Sequence, residues 1–287
     1  MDLSKTQKFG VRSMSSELRR VLLRAPALTG DFAAADWREP DPDLLARQHE
    51  RFAGLLADLG CEVEVAPAVD GLVDATYARD PALVTGRGAI LFEMAKPIRR
   101  AEPELLGEAF EKAGVPILGR LTGDARADGG DFVWLDAETL LVGRSYRTND
   151  EGIRQIAELV EPEGVRVTSV DVPHDQGPEH VLHLMSFLSP LAPDLAAVHL
   201  PLAPVRLVEE LHARGVTIVP VDDAEYATMA CNVLAVRPRV VVMVEGNPRT
   251  RAALEAHGCE VHTYAGSEIS VKGDGGPTCL TAPLLRD

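Results

Sequence analysis

Long apolar runs are missing from the 287-residue chain. The longest, such as Val240–Val244, fall far short of the ~20 residues a membrane-spanning helix needs. No charged head followed by an extended apolar stretch opens the sequence, which predicts no signal peptide and a cytoplasmic location. Basic charge is also scarce. Lys and Arg number 29 against 44 Asp and Glu, a net charge of −15, and the longest basic cluster is the pair Arg99 and Arg100. Nucleic-acid binding gathers Lys and Arg into a patch, so nucleic acid is excluded as the main partner, and no membrane partner is expected. The acidic balance suits a cationic small-molecule substrate. Cysteine is limited to Cys61, Cys231, Cys259 and Cys279, with no Cys-x-x-Cys pair, which excludes a zinc ribbon or a thioredoxin-type motif. In a reducing compartment these are free thiols. Cys61 and Cys259 each follow a Gly and open an apolar strand, which makes them packing residues. Cys279 differs, because glycines and a proline precede it.

What is present is a repeat. Five amphipathic stretches end in Gly and run directly into a short apolar strand: residues 44–59, 104–113, 151–163, 205–214 and 249–257, closed by Gly60, Gly114, Gly164, Gly215 and Gly258. A terminal Gly suits the left-handed stop of a helix. The four later helices each follow a strand pair with a turn between, over residues 82–92, 132–142, 185–200 and 232–244. The first helix is preceded only by residues 20–24, and the last strand of the chain, 280–285, is the matching partner. The unit is strand–strand–helix–strand, and a C-terminal strand completing the first unit closes five of them into a ring. An irregular α/β sandwich is the alternative. The fold class is therefore α/β, a five-bladed propeller of ββαβ repeats with pseudo-fivefold symmetry. With no linker in the chain, residues 1–287 form one domain.

The unusual residues stand at equivalent places, where each unit's first strand begins. They are Tyr77-Ala78-Arg79-Asp80-Pro81, Asp128-Gly129-Gly130-Asp131, Leu182-His183-Leu184-Met185-Ser186, Ala230-Cys231-Asn232 and Asp274-Gly275-Gly276-Pro277-Thr278-Cys279. In a ring, equivalent positions meet near the axis, so Asp80, Asp128, His183 and Cys279 converge although the chain separates them. A thiol, an imidazole and carboxylates make a nucleophile, a general acid/base and cation-binding groups. Guanidinium is the cation whose fork best matches carboxylates. Taken singly, each Asp-Gly-Gly is a tight turn and His183 a core histidine. His174, His180 and His183 match none of the common zinc spacings, so no metal is expected.

Six segments in this order resemble the guanidine-modifying enzymes of the pentein α/β-propeller class, and within it the dimethylarginine dimethylaminohydrolase family. They are residues 74–81, Arg99 with Arg100, 128–132, 143–149 (Gly-Arg-Ser-Tyr-Arg-Thr-Asn), 182–187 and 274–279. The similarity runs from Arg20 to the C-terminus. It implies Cys279 as nucleophile, His183 as the proton donor that later activates water, and Asp128 as the acid touching both guanidinium and imidazole. It implies that Asp80 binds guanidinium nitrogens, that Arg99 and Arg147 hold the substrate carboxylate, and that Asp74 and Asp274 surround the amino-acid end. Residues 26–40 fall where that family has a mobile lid. No cofactor is implied, and a homodimer is compatible with the sequence. The expected reaction converts a methylated arginine to citrulline and an alkylamine through a covalent thiouronium intermediate. One feature departs from the pattern: Arg79-Asp80-Pro81 resembles arginine deiminases and amidinotransferases, where dimethylarginine enzymes carry Glu-Asp. Met185, two residues after His183, resembles the dimethylarginine branch instead. Arginine deiminase, arginine dihydrolase, amidinotransferase and a non-catalytic propeller remain the alternatives.

Overall fold

The computed structural model describes residues 8–178 and 180–287. Among these residues fifteen strands form five sheets of three. The first sheet joins β1 (Leu18–Arg24), β2 (Glu62–Ala66) and β15 (Ala282–Arg286). The others are β3 (Ala82–Val84), β4 (Ala89–Leu91) and β5 (Ile117–Arg120); β6 (Phe132–Asp136), β7 (Thr139–Arg144) and β8 (Arg166–Asp171); β9 (Leu188–Ala192), β10 (Leu195–Val198) and β11 (Thr217–Pro220); and β12 (Leu234–Arg237), β13 (Val240–Val244) and β14 (Glu260–Tyr264). In four sheets the middle strand pairs antiparallel with its hairpin partner, and in all five it pairs parallel with the strand that follows a helix. The C-terminal β15 pairs antiparallel with β1, as the repeat requires of the first unit.

Parallel pairing needs a crossover, and a helix supplies each one. These are α1 (Pro42–Asp58), α2 (Glu102–Lys112), α3 (Asp150–Val160), α5 (Val205–Ala213) and α6 (Pro248–Ala256), while α4 (Leu184–Phe187) is a single turn. The side chains of Asp41 and Asn149 cap α1 and α3 by accepting from the backbone N–H groups of Leu44 and Gly152. The glycines after the five long helices all have left-handed backbone, with φ between 70 and 97°. Some boundaries differ from the sequence reading: β12 and β15 begin at Leu234 and Ala282, two residues later than expected. Met185 lies in α4, and β9 begins only at Leu188, because a helical turn opens at His183.

The inner strands β12 and β13 are buried on both faces, and alternation divides their residues between separate clusters. Leu234, Val236, Val242 and Val244 pack with Leu45, Phe52 and Leu56 of α1. Their neighbours Val233, Ala235, Val241 and Met243 pack instead with Leu195 and with Leu254 of α6. The core is therefore distributed between blades. The ends of the first strands are left to meet at the axis.

Candidate active site

Backbone contacts at the axis draw the strand starts together. The N–H of Gly129 donates to the carbonyl of Asp80 at 2.8 Å, and that of Arg79 to the carbonyl of Cys279 at 3.1 Å. A Cβ on Gly129 would stand 2.0 Å from the Arg79 oxygen, and one on Gly130 would stand 2.9 Å from the His183 ring. A Cβ on Gly276 would meet Asn232 at 2.4 Å. Neither Asp-Gly-Gly has a glycine with positive φ, so these glycines serve close approach rather than turn conformation.

His183 stands at the start of α4, its N–H donating to Ser186 Oγ at 2.9 Å. Its Nε2 is 3.8 Å from Asp128 and its Nδ1 3.3 Å from Asp131. The Asp131 carboxylate stands beside Nδ1 and favours its protonated form. Asp131 is fully buried and accepts from the Ser145 hydroxyl at 2.6 Å, the Thr148 hydroxyl at 2.7 Å and the Leu184 N–H at 2.9 Å. Burial disfavours the charged imidazole, but Asp128, Asp131 and Asp80 outweigh it and raise the ring from 6.5 to about 9. His183 is therefore an imidazolium at neutral pH.

Cys279 is half-buried, and Asn232 Nδ2 donates to its sulfur at 3.2 Å. Asn232 is fixed in turn by the N–H and hydroxyl of Thr278, at 3.0 and 2.6 Å. Burial and the charge of Asp80 push the thiol up to about 11, against the hydrogen bond from Asn232. The thiol is therefore neutral at pH 7. The other three cysteines are buried.

Asp80 is buried, and its carboxyl is raised to about 7 by burial and by Asp128. Arg99 opposes that rise, donating to Asp80 at 2.8 Å. Arg99 also forks onto Glu102 at 2.7 to 3.0 Å and reaches the carbonyl of Asp74 at 3.3 Å. Glu102, Asp80 and Asp74 hold its guanidinium firmly charged despite burial. Its donors are thus spent inside the protein, a different task from the substrate-carboxylate contact expected of it. Arg147 is half-buried beside Thr148 and makes no ion pair among the described residues. Asp74 is buried and accepts from Trp37 Nε1 at 2.8 Å, with Lys96 at 3.4 Å. Asp274 is exposed, in left-handed backbone at φ 56°, and pairs with Arg38 at 3.0 Å. Trp37 and Arg38 belong to residues 26–40, so the expected lid segment rests on Asp74 and Asp274.

The Arg79 side chain turns away from this cluster. It donates to the carbonyl of Phe132 at 2.9 Å and lies against Met14. His174 bonds to the Tyr146 hydroxyl at 2.6 Å, and no metal-holding group of three His, Cys, Asp or Glu exists among the described residues. Sequence reasoning missed Asp131, Asn232 and Glu102. Asn232 carried a signal, since it occupies the strand-start position of the fourth unit. Asp131 was the second acid of its own Asp-Gly-Gly-Asp segment. Glu102 is visible only through its fork with Arg99.

A family model described as N,N dimethylarginine dimethylhydrolase, eukaryotic, matches residues 42–286. The chain is 26% identical to the N(G),N(G)-dimethylarginine dimethylaminohydrolase of Pseudomonas aeruginosa, over 92% of this chain and 98% of that one. It is 27% identical to an arginine deiminase of Listeria welshimeri, over 76% of this chain and 63% of that one. A solved Pseudomonas aeruginosa structure of the first type, complexed with citrulline, superposes with a TM-score of 0.77 at 24% identity, covering 94% of this chain and all of that one.

Proposed function

The chain belongs to the N,N-dimethylarginine dimethylhydrolase family, hydrolases of guanidino C–N bonds, and we propose that it converts an N-omega-methylated arginine to citrulline and an alkylamine, with Cys279 as nucleophile. One observation carries the reading: Cys279, His183, Asp80 and Asp128 gather at one end of the axis, where acids outnumber cations. Asp74, Asp80, Asp128, Asp131 and Glu102 stand among Lys96, Arg99, His183 and, near Asp80, Arg79. Such a site attracts a cation.

A guanidinium carbon is a weak electrophile because its charge is delocalised. Asp80 and Asp128 hold the guanidinium flat and fixed, so that sulfur meets the central carbon from above. Burial and the Asp80 charge keep the thiol protonated; the bound cation offsets that charge, the thiol proton passes to solvent, and the thiolate forms when substrate is present. Attack by Sγ forms the C–S bond and a tetrahedral adduct. The adduct collapses as His183 gives its proton to the departing alkylamine. The neutral imidazole then takes a proton from water, whose oxygen attacks the thiouronium carbon. Collapse of this second adduct breaks the C–S bond, leaving the urea group of citrulline and a thiolate that is reprotonated. Arg147 is the cation left to meet the substrate carboxylate. We read the five blades as one catalytic domain, working in the cytoplasm.

The test is citrulline release from dimethylarginine, monomethylarginine, arginine and agmatine, with the amine product identified. Release from the methylated substrates is expected, and failure to turn over any guanidine overturns the reading. The second reading is arginine deiminase, favoured by Arg79-Asp80-Pro81 and by the Listeria relative. It predicts that arginine is the better substrate and ammonia the product. Arg79 does not decide between them by contact, because its side chain faces Phe132 and Met14.

A further inference from the structure

The strands that begin at the catalytic cluster end at a second opening. Asp131 precedes β6, and Asp136 ends it; α4 precedes β9, and Ala192 ends it; Cys279 precedes β15, and Arg286 ends it. A strand of five residues spans about 17 Å, so the two ends are well separated. The far end holds a cavity of about 640 Å³, bounded by residues 10–16, the ends of β6 and β9, Gly86 and Arg286. That volume lies within the range of small-molecule sites.

We propose that this far cavity is a second binding site, for a small organic carboxylate with an apolar body. Val11, Met14, Leu135, Pro190 and Pro193 supply apolar wall. The buried polar groups on the wall are donors. Arg286 is 6% exposed, and its guanidinium reaches only the carbonyls of Ser16 and Ala235, with no acidic partner among the described residues. Trp134 is 2% exposed, and its indole N–H lacks a partner, as does the buried Ser16 hydroxyl. A buried N–H left unpaired is costly, and an oxyanion at this wall offers these donors a partner.

The nearby acids do not compete for that role, because each is already tied to a cation: Asp136 to Arg214, Asp287 to Arg19 and Glu163 to Arg12. Burial and the neighbouring Arg79 push the Arg286 guanidinium down to about 9, and an anion beside it reverses that penalty. One cation and apolar walls favour a monoanionic carboxylate over a phosphate dianion.

The probes are benzoate, its uncharged counterpart benzamide, and inorganic phosphate, titrated calorimetrically into the full chain. Saturable benzoate binding is expected, at least tenfold tighter than benzamide and tighter than phosphate. Arg286→Met should weaken it tenfold or more, and Trp134→Phe several-fold. Arg147→Met, at the catalytic end, should leave it unchanged. If Arg286→Met fails to fold by circular dichroism, Trp134→Phe carries the test. No saturable binding, equal binding of benzamide, binding of phosphate alone, or loss in Arg147→Met with retention in the far-end variants overturns the proposal. None of these outcomes depends on turnover, so the site stands or falls separately from the proposed reaction.

Discussion

The tripeptide Asp-Gly-Gly occurs twice, and its two copies do different work. At 128–130 it is locked: Asp128 is buried, and the Asp131 that follows is held by three donors. At 274–276 its acid is exposed on left-handed backbone, tied only to Arg38. The glycines are needed in both for the same reason, which is space. A Cβ at Gly129 would meet the Arg79 carbonyl, and one at Gly275 would stand 2.4 Å from the Tyr77 ring. The first copy makes a rigid charged wall for His183. The second delivers Cys279 and leaves an acid at the rim. Burial of the acid, rather than the motif, decides what each copy does.

The largest expected effect tests the second copy. Cys279→Ser should remove citrulline formation to background while substrate still binds, and unchanged turnover would remove Cys279 as the nucleophile. Next comes Gly129→Ala, which drives a methyl into a backbone oxygen. Overpacking of this kind costs about 1–3 kcal/mol or more, so thermal unfolding should drop by roughly 5–10 °C. A melting temperature equal to wild type would show that the close approach is not needed.

A third test separates the two arginines. Breaking the buried network through Arg99→Ala releases Asp80 and Glu102, a loss of about 3–5 kcal/mol, and should weaken agmatine inhibition as much as dimethylarginine turnover. Arg147→Ala should raise KM for dimethylarginine and spare agmatine. If Arg99→Ala also spares agmatine, its role is the carboxylate contact after all.

Asp131→Asn should be milder and visible in pH. The folded His183 titrates near 9, above its unfolded 6.5. Its contribution to stability is thus full below 6.5 and disappears as pH rises through about 9. In the variant the imidazole pKa falls, the alkaline limb of kcat moves to lower pH, and the alkaline loss of stability flattens. A proton NMR titration of His183 that gives the wild-type value would sink the link. The smallest effect belongs to Asp274→Asn, whose exposed ion pair is worth under about 1 kcal/mol. A KM change of less than tenfold with unchanged kcat is expected, and a collapse of kcat would break the contrast between the two copies.

Much of this was legible beforehand because it rests on local rules. Helix-terminal Gly60, Gly114, Gly164, Gly215 and Gly258 read as left-handed stops, and all five have that backbone. Their even recurrence announced five units, and the unpaired first strand called for β15 as its partner. Free and mostly buried cysteines followed from spacing and neighbours. Where only side-chain direction mattered, the sequence was silent. Nothing in Arg79-Asp80 says that one side chain enters the site while the other turns toward Phe132. Nothing in Arg99-x-x-Glu102 says that the guanidinium is already occupied.

By itself the sequence determined the repeat, the ring, and the positions at which chemistry could gather, because periodicity and backbone stops act within one unit. The tertiary structure decided the rest. Closing the ring buries Asp80, Asp128 and Asp131 around one imidazole and one thiol, and burial and mutual charge set the protonation of Asp80, His183 and Cys279. It also leaves Arg286, among the described residues, without an acidic partner at the far end of the same strands. Those are properties of distance between segments, and no single segment carries them.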